Sequence, residues 1–442
     1  MKKFFPAGTV LLVIVLLPSY GQKMPLAERS VLARGSNRFA FTLMRAMLKD
    51  TTNRLVSPMG VYLSLNLLYN GAAGDTRDSI GQALQVMDIN IHQLNALSKN
   101  LVQQFSMTDK LARFSIANGI WCNRKKLKLT PAFGELADTW YYSAVQALPF
   151  NGRAAAEKIN GWTKQNTDRR FPHVLESTRP GDLVYLTNAC SFSCGWRHPF
   201  NAANTQMDLF YLAGGGRTTV PFMHKVLAAG IYSDTSFTMI ELPYGNGNAY
   251  GLFLVLPDDT GQTIRTFTSF LAQEKFYAAI SRMNPQWVDL SLPRWEQTYD
   301  TTDLQPALEQ SGLGILFNKG GASDLSNMCS PPGGGMQGTP VSRYYHTAGF
   351  TINEKGSLAD DAATTDTGTM SGMHRTLNLK FDHPFLYFVI AKQQQVVLFS
   401  GVLNNPAVVH PAPIITKLAA KSPSRPAGPR LPHGIGHRGV SH

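Results

Sequence analysis

The sequence, 442 residues long, has little cysteine, little charge and no long apolar run. Its four cysteines, Cys122, Cys190, Cys194 and Cys329, are too few for a disulfide framework in a chain of this length, and no Cys–His spacing suggests zinc. Cys190 and Cys194 sit four apart in an expected strand, so they share a face at ~13 Å, too far for a bond without a bulge. Charged residues are only 16% and hydrophobic ones 43%, a balance that excludes bulk disorder and supports a large core. A membrane-spanning helix needs ~20 apolar residues in a row, and none is present. Also missing are a Gly-x-Ser-x-Gly elbow, a His-Glu-x-x-His pair and a phosphate-binding loop. Gly214-Gly215-Gly216 has no nucleophile elbow beside it and reads as a surface turn. No catalytic residue, metal ligand or cofactor site is therefore assigned, and the chain reads as not an enzyme.

The net charge of +12 is unevenly placed. Lys2 and Lys3 lie at the extreme N-terminus, and residues 407–442 carry five basic residues and no acid, which leaves +5 for the body. That is too little to make nucleic acid the main partner. The run Arg124-Lys125-Lys126-Leu127-Lys128 suits a weak polyanion contact or, more simply, a solvated turn.

What is present is ordered along the chain. Lys2-Lys3, the apolar run from Phe4 to Leu17 and Ser19-Tyr20-Gly21 read as a signal peptide over 1–21, which predicts secretion to the periplasm or the cell exterior. Residues 22–36 read as a polar lead-in. Helical spacing begins at Asn37 with Phe39, Leu43, Met44 and Met47, and recurs over 61–68, 75–86, 92–109 and 154–166. Alternation over 114–121 predicts a strand, 183–196 is a long strand candidate, and strands dominate from about 217. Met239–Leu242 and Tyr250–Leu256 flank Pro243-Tyr244-Gly245-Asn246-Gly247-Asn248 as a hairpin. Helices first and strands later make an α+β pattern. The tail 407–442, rich in Pro, Arg and His, reads as disordered. Between two strand patterns, Ser357 to Gly372 is small and polar except for Leu358 and Met370, and a long loop in that position is commonly functional.

Several segments together resemble the serpin family. They are Asn53-Arg-Leu-Val-Ser-Pro-Met59, Gly71-Ala-Ala-Gly-Asp-Thr76, Asn188 to Trp196 with Asn204-Thr205, and Met239 to Pro257. Ser323 to Met328, His346, Asn353-Glu-Lys-Gly356, Leu379 to Val389 and Phe399-Ser-Gly-Val402 complete the series. The matches keep the family order over about 37–406. The resemblance implies three β-sheets, eight or nine helices and an exposed reactive centre loop at about 354–378, in a monomer that inhibits serine proteases. In the family the cut loop inserts into the main sheet as an extra strand and carries the acylated protease with it. It further implies a hinge at Glu354, Gly356, Ser357, Ala359 and Asp361, and breach and shutter residues at Ser57, Asn188, Trp196 and His346.

Counting from Glu354 places the reactive bond at Met370-Ser371; counting back from Pro384 places it at Met373-His374. Met370 suits elastase-, chymotrypsin- or subtilisin-like enzymes, whereas use of Arg375 would imply a trypsin-like one. Of the seven loop residues expected to face inward, Ser357, Ala359, Asp361, Ala363, Thr365, Thr367 and Thr369, only Asp361 departs from the small neutral pattern, and a buried unpaired carboxylate is costly. Gly60 stands where the family has a second Ser, which suggests room for Asp361 to pair with His346 after insertion.

Overall fold

The computed structural model describes residues 31–408, apart from 49–50, 108, 110, 168, 259–271, 302–303, 319, 334–337 and 358–375. The chain opens on α1 (Val31–Met47), which starts six residues before the spacing that begins at Asn37 and buries Leu32 and Ala33 as well as Phe39, Leu43, Met44 and Met47. Strand β1 (Arg54–Val56) leads into α2 (Pro58–Gly71). Ser57 caps α2 by accepting from Gly60 N–H at 3.3 Å, and Pro58 follows at the first helical position, where its missing donor costs nothing. Nearly every residue of α2 is buried, as its apolar composition on all sides requires. Helices α3 (Gly74–Leu84), α4 (Ile91–Met107), α5 (Pro131–Tyr141) and α6 (Arg153–Asn166) follow, with α7 (Gln273–Ser281) and α8 (Leu304–Leu308) later, making eight α-helices among the described residues.

The strands form three sheets. A five-stranded sheet has the order β11 (Trp295–Thr301), β13 (Val341–Ile352), β5 (Val184–Ser193), β2 (Arg113–Asn123) and β4 (Ala144–Leu148). Here β13 lies parallel to β5, with Ala348 opposite Cys190 and His346 opposite Asn188, and β2 is antiparallel to β5. A nine-stranded sheet runs β1, β16 (Val396–Leu403), β15 (Phe385–Ala391), β9 (Tyr250–Pro257), β8 (Phe237–Tyr244), β7 (Arg217–Ser233), β10 (Asn284–Pro293) and β14 (Leu377–Lys380), with β6 (Gln206–Tyr211) on β7. The third sheet pairs β3 (Lys128–Leu129) with β12 (Cys329–Ser330). Strands β8 and β9 form the hairpin expected from the turn between them.

Strands β9, β15 and β16 are buried at every position because both faces of their sheet are covered. On one side α1, α2 and α7 pack on Phe253, Phe388 and Val402. On the other, Tyr387 and Phe399 meet Phe350 of the five-stranded sheet in stacked pairs. The five-stranded sheet is thus held by its inner face, with the β13–β5 seam at its middle. Among the described residues no helix is long and apolar enough to cross a membrane.

Candidate functional site

In the five-stranded sheet, β13 and the central strand β5 carry one polar residue each at the same level: His346 opposite Asn188, with Asn118 of β2 next in the row. All three side chains are buried. Ser57 N–H donates to His346 Nε2 at 3.1 Å, so the ring proton sits on Nδ1, which donates to Asn188 Oδ1 at 2.6 Å across the seam. Asn188 Nδ2 in turn donates to Asn118 Oδ1. Ser57 Oγ donates to Leu398 O at 2.8 Å, which ties the network to β16. Burial lowers the His346 pKa to about 3, so the ring is neutral and both of its nitrogens are used. Ser57, Asn188 and His346 therefore meet as one cluster, and Asn118 belongs with them although its sequence context gave no sign of it.

Gly60 does not open a vacancy here. A Cβ on Gly60 would overlap Cys190 Sγ and lie 2.9 Å from the Asn188 amide, so the thiol already fills the space. Cys190 is fully buried, its pKa pushed up to about 12 by burial, and its Sγ donates to Asn188 Oδ1 at 3.5 Å. The suggestion that Gly60 leaves room for a carboxylate is thereby overturned.

At the C-terminal ends of β13 and β5 the chain turns back on itself. Asn353 and Gly356 exchange backbone hydrogen bonds of 3.0 and 3.1 Å, and Gly356 also bridges Gly195. Trp196 N–H donates to Lys355 O and Ser357 N–H to Cys194 O, both at 2.9 Å. Gly356 has φ +125, and a Cβ there would overlap Cys194 O, so only glycine fits. Trp196 stacks on Tyr244 with ring centroids 4.5 Å apart and donates from Nε1 to Asn353 O at 2.8 Å. Ser357 is buried, with its Oγ 2.5 Å from Tyr244 Oη.

Glu354 is the charged member of this end. Its carboxylate pairs with the Arg294 guanidinium and accepts from Thr205 Oγ1. Arg294, Tyr244 and Thr205 were not read as site residues. Thr205 and Tyr244 lay in segments quoted only as pattern, and nothing local marks Arg294, which follows Pro293 at the end of β10. The remaining predicted positions, Ala359, Asp361, Met370 and Ser371, with the alternative Met373-His374, lie outside the described residues. In the basic run, Arg124, Lys125 and Lys126 are exposed in the turn between β2 and β3, and Lys126 Nζ donates to Gly181 O at 3.2 Å.

The model of the family described as Serpin (serine protease inhibitor) matches residues 34–406. Serpin-Z1C of Triticum aestivum is 27% identical over 382 residues, covering 84% of this chain and 94% of that protein. Serpin-Z7 of Hordeum vulgare is 27% identical, covering 84% and 95%. Among solved structures, the native state of the thermophilic serpin tengpin aligns with a TM-score of 0.77 at 23% identity, covering 84% of this chain and 93% of that one. The native stressed conformation of Arabidopsis AtSerpin1 aligns at 0.74 and 24%, covering 86% and 100%. Human thyroxine-binding globulin complexed with its hormone aligns at 0.74 and 22%, covering 85% and 100%.

Proposed function

The chain belongs to the serpin family, a family of serine protease inhibitors rather than catalysts, and on that premise we propose that it is a secreted inhibitor that traps serine proteases by inserting its cut loop between β13 and β5. The observation that carries this reading is the turn at Asn353–Gly356. It points the chain back along the seam, with Gly356 already bridged to both Asn353 and Gly195, so the first rung of an additional strand is in place. Parallel β13 and β5 would each gain an antiparallel neighbour, the stabler kind of pairing. Cleavage after Met370 frees the thirteen residues 358–370, enough for one strand of the length of β13, twelve residues. A Met in the primary pocket points to elastase-, chymotrypsin- or subtilisin-like targets.

Continued into an inserted strand, the same register suggests where Asp361 would arrive. Counting down from Gly356, Asp361 comes between Ala348 and Cys190, and Ala363 between His346 and Asn188. Asp361 is thus two residues, roughly 7 Å, from the level of His346. It meets a thiol instead of an imidazole and acts as a brake on insertion. That misfit favours the second reading, a non-inhibitory serpin whose loop is cut without insertion.

A denaturing gel after mixing with elastase, chymotrypsin, subtilisin and trypsin, with mass spectrometry of the released peptide, separates the two. Trapping gives a covalent band and a peptide beginning at Ser371. Clean cleavage without that band for every enzyme overturns it. Asp361→Ala raises the fraction trapped at every pH if the carboxylate is only a brake.

A further inference from the structure

The basic residues of this protein are not spread evenly over its surface. Three short segments, 123–128, 148–153 and 178–182, stand at one end of the five-stranded sheet, where β2 and β4 finish and β5 is about to begin. Strand β4 runs parallel to β2 and β5 antiparallel to it, which brings the three segments side by side. Hydrogen bonds tie each pair of them. Arg124 N–H donates to Leu148 O at 2.9 Å. Asn123 Nδ2 donates to Pro180 O and Asp182 O at 3.1 and 3.0 Å, and Lys126 Nζ donates to Gly181 O at 3.2 Å. Thr178 N–H donates to Gly152 O, and Gly152 N–H to Thr178 Oγ1, both at 3.1 Å.

This fixed surface carries six bases, Arg124, Lys125, Lys126, Lys128, Arg153 and Arg179, all of them exposed. The one acid of the three segments, Asp182, is partly buried and already holds the Arg343 guanidinium at 3.8 Å and the Tyr185 hydroxyl at 2.7 Å. The segments therefore have a net charge of +5. Residues 4–406 as a whole also have a net charge of +5, so everything else in that stretch is balanced, and the charge excess of the body is this patch.

We infer that the patch is a binding site for a linear anionic polysaccharide, one bearing sulfate or carboxylate groups. Like charges gathered on one rigid surface raise the local concentration of anions, and a polymer that meets several of them at once releases its own counterions. Arg124, Arg153 and Arg179 add planar forks that grip oxyanions at two points. Other polyanionic partners fit less well. The three segments expose no aromatic ring on which single-stranded nucleic acid would stack, since Phe150 is buried. They expose no large apolar side chain to enter a lipid interface, since Leu127 and Leu148 are buried. The patch lies before the start of β5, whose ten residues span roughly 30 Å, whereas Gly356 bridges Gly195 just past its end. A polymer seated on the patch leaves the turn at Asn353–Gly356 uncovered, so the site anchors the protein without closing the seam. The binding does not depend on the trapping reading.

The test measures binding of the full chain to immobilised dextran sulfate and polygalacturonate, with uncharged dextran as the blank, at about 150 mM sodium chloride, where exposed charges are screened beyond about 8 Å. Arg124→Ala, Lys125→Ala and Arg179→Ala combined should weaken binding about 10- to 100-fold, because each exposed ion contact is worth about 2- to 5-fold. The rival is the C-terminal stretch 407–442 with its five bases. Changing Lys417, Lys421, Arg425, Arg430 and Arg438 to Gln should weaken binding less than threefold. Absence of binding to both polymers, a patch variant within threefold of the wild type, or a C-terminal variant that loses as much as the patch variant overturns the proposal. Acetylation of the wild-type lysines, read by mass spectrometry, needs no variant. Dextran sulfate should shield Lys125 and Lys128 and leave exposed Lys275 of α7 unchanged; equal reactivity at Lys125 and Lys128 with and without the polymer sinks the site. A DNA duplex and phosphatidylglycerol vesicles are run in parallel. Either one binding as tightly as the better polysaccharide overturns the choice of partner.

Discussion

The two polar clusters along the β13–β5 seam are built on opposite principles. At the open end, Glu354 and Arg294 are charged, and Arg294 is 41% exposed against 8% for Glu354. At mid-sheet, Ser57, His346, Asn188 and Asn118 are neutral, buried and matched donor to acceptor. A charged pair at the water's edge is weak, reversible and sensitive to salt. A buried neutral network resists opening, because each broken bond strands a polar group away from water. The seam is thus easy to start at the Glu354 end and hard to part at the middle, as the proposed loop insertion would require. Breaking each cluster separately tests that division.

The largest effect is expected from acid at the neutral cluster. In the folded chain His346 titrates at about 3, because burial penalises the imidazolium. In the unfolded chain it titrates near 6.5. Below pH 6.5 the unfolded state takes up a proton that the folded state refuses, so this group's contribution to stability is complete above that pH and lost as the pH falls toward 3. The loss reaches about 4 kcal/mol over that window. A protonated ring would also lose the Nε2 acceptor used by Ser57 N–H, so the seam itself loosens. Denaturant unfolding from pH 7 to pH 3.5 should show this slope in the wild type and a shallower one in His346→Gln. Equal slopes would show that the imidazole is not the controlling group.

Much of this arrangement was legible in the sequence, partly through family resemblance and partly through local pattern. Ser57 and Asn188 were named because the segments around them resemble the serpin family, and the structure places Ser57 at the start of α2 and Asn188 within β5. The hairpin of β8 and β9 was visible because its turn chemistry and its flanking apolar runs agree. Asn118 and Arg294 were missed because their roles come from neighbours distant in sequence: Asn118 meets Asn188 only through strand register, and Arg294 meets Glu354 across 60 positions. The start of α1 was placed too late because Leu32 and Ala33 are buried by later elements and precede the clear periodicity. Gly60 was read as a vacancy because Cys190, which fills it, is 130 positions away.

That last contact supplies a second, smaller effect. Gly60→Ala puts a methyl group onto Cys190 Sγ and against the Asn188 amide. Overpacking of this kind costs typically 1–3 kcal/mol, so a loss of roughly 2 kcal/mol is expected by urea unfolding. Cys190→Ala in the same chain should recover most of it, since the thiol is the group in the way. A double variant no more stable than Gly60→Ala would mean that the clash lies with Asn188 and its network, and that Gly60 serves the polar row directly.

The smallest effect on stability belongs to the charged end. Arg294→Ala removes the guanidinium but leaves Thr205 Oγ1 donating to the Glu354 carboxylate. With Arg294 41% exposed, water replaces much of the lost contact, and a cost of roughly 1 kcal/mol is expected. The salt response is the sharper readout. Raising sodium chloride from low ionic strength to 1 M, where the screening length falls to about 3 Å, should weaken the wild type slightly and Arg294→Ala hardly at all. Because the pair anchors Glu354, two residues before Gly356, its loss should also free the turn to descend and raise the rate of covalent complex formation while stability falls. A variant that loses stability and slows trapping would reverse the assignment, making Glu354–Arg294 a guide for insertion instead of a latch against it.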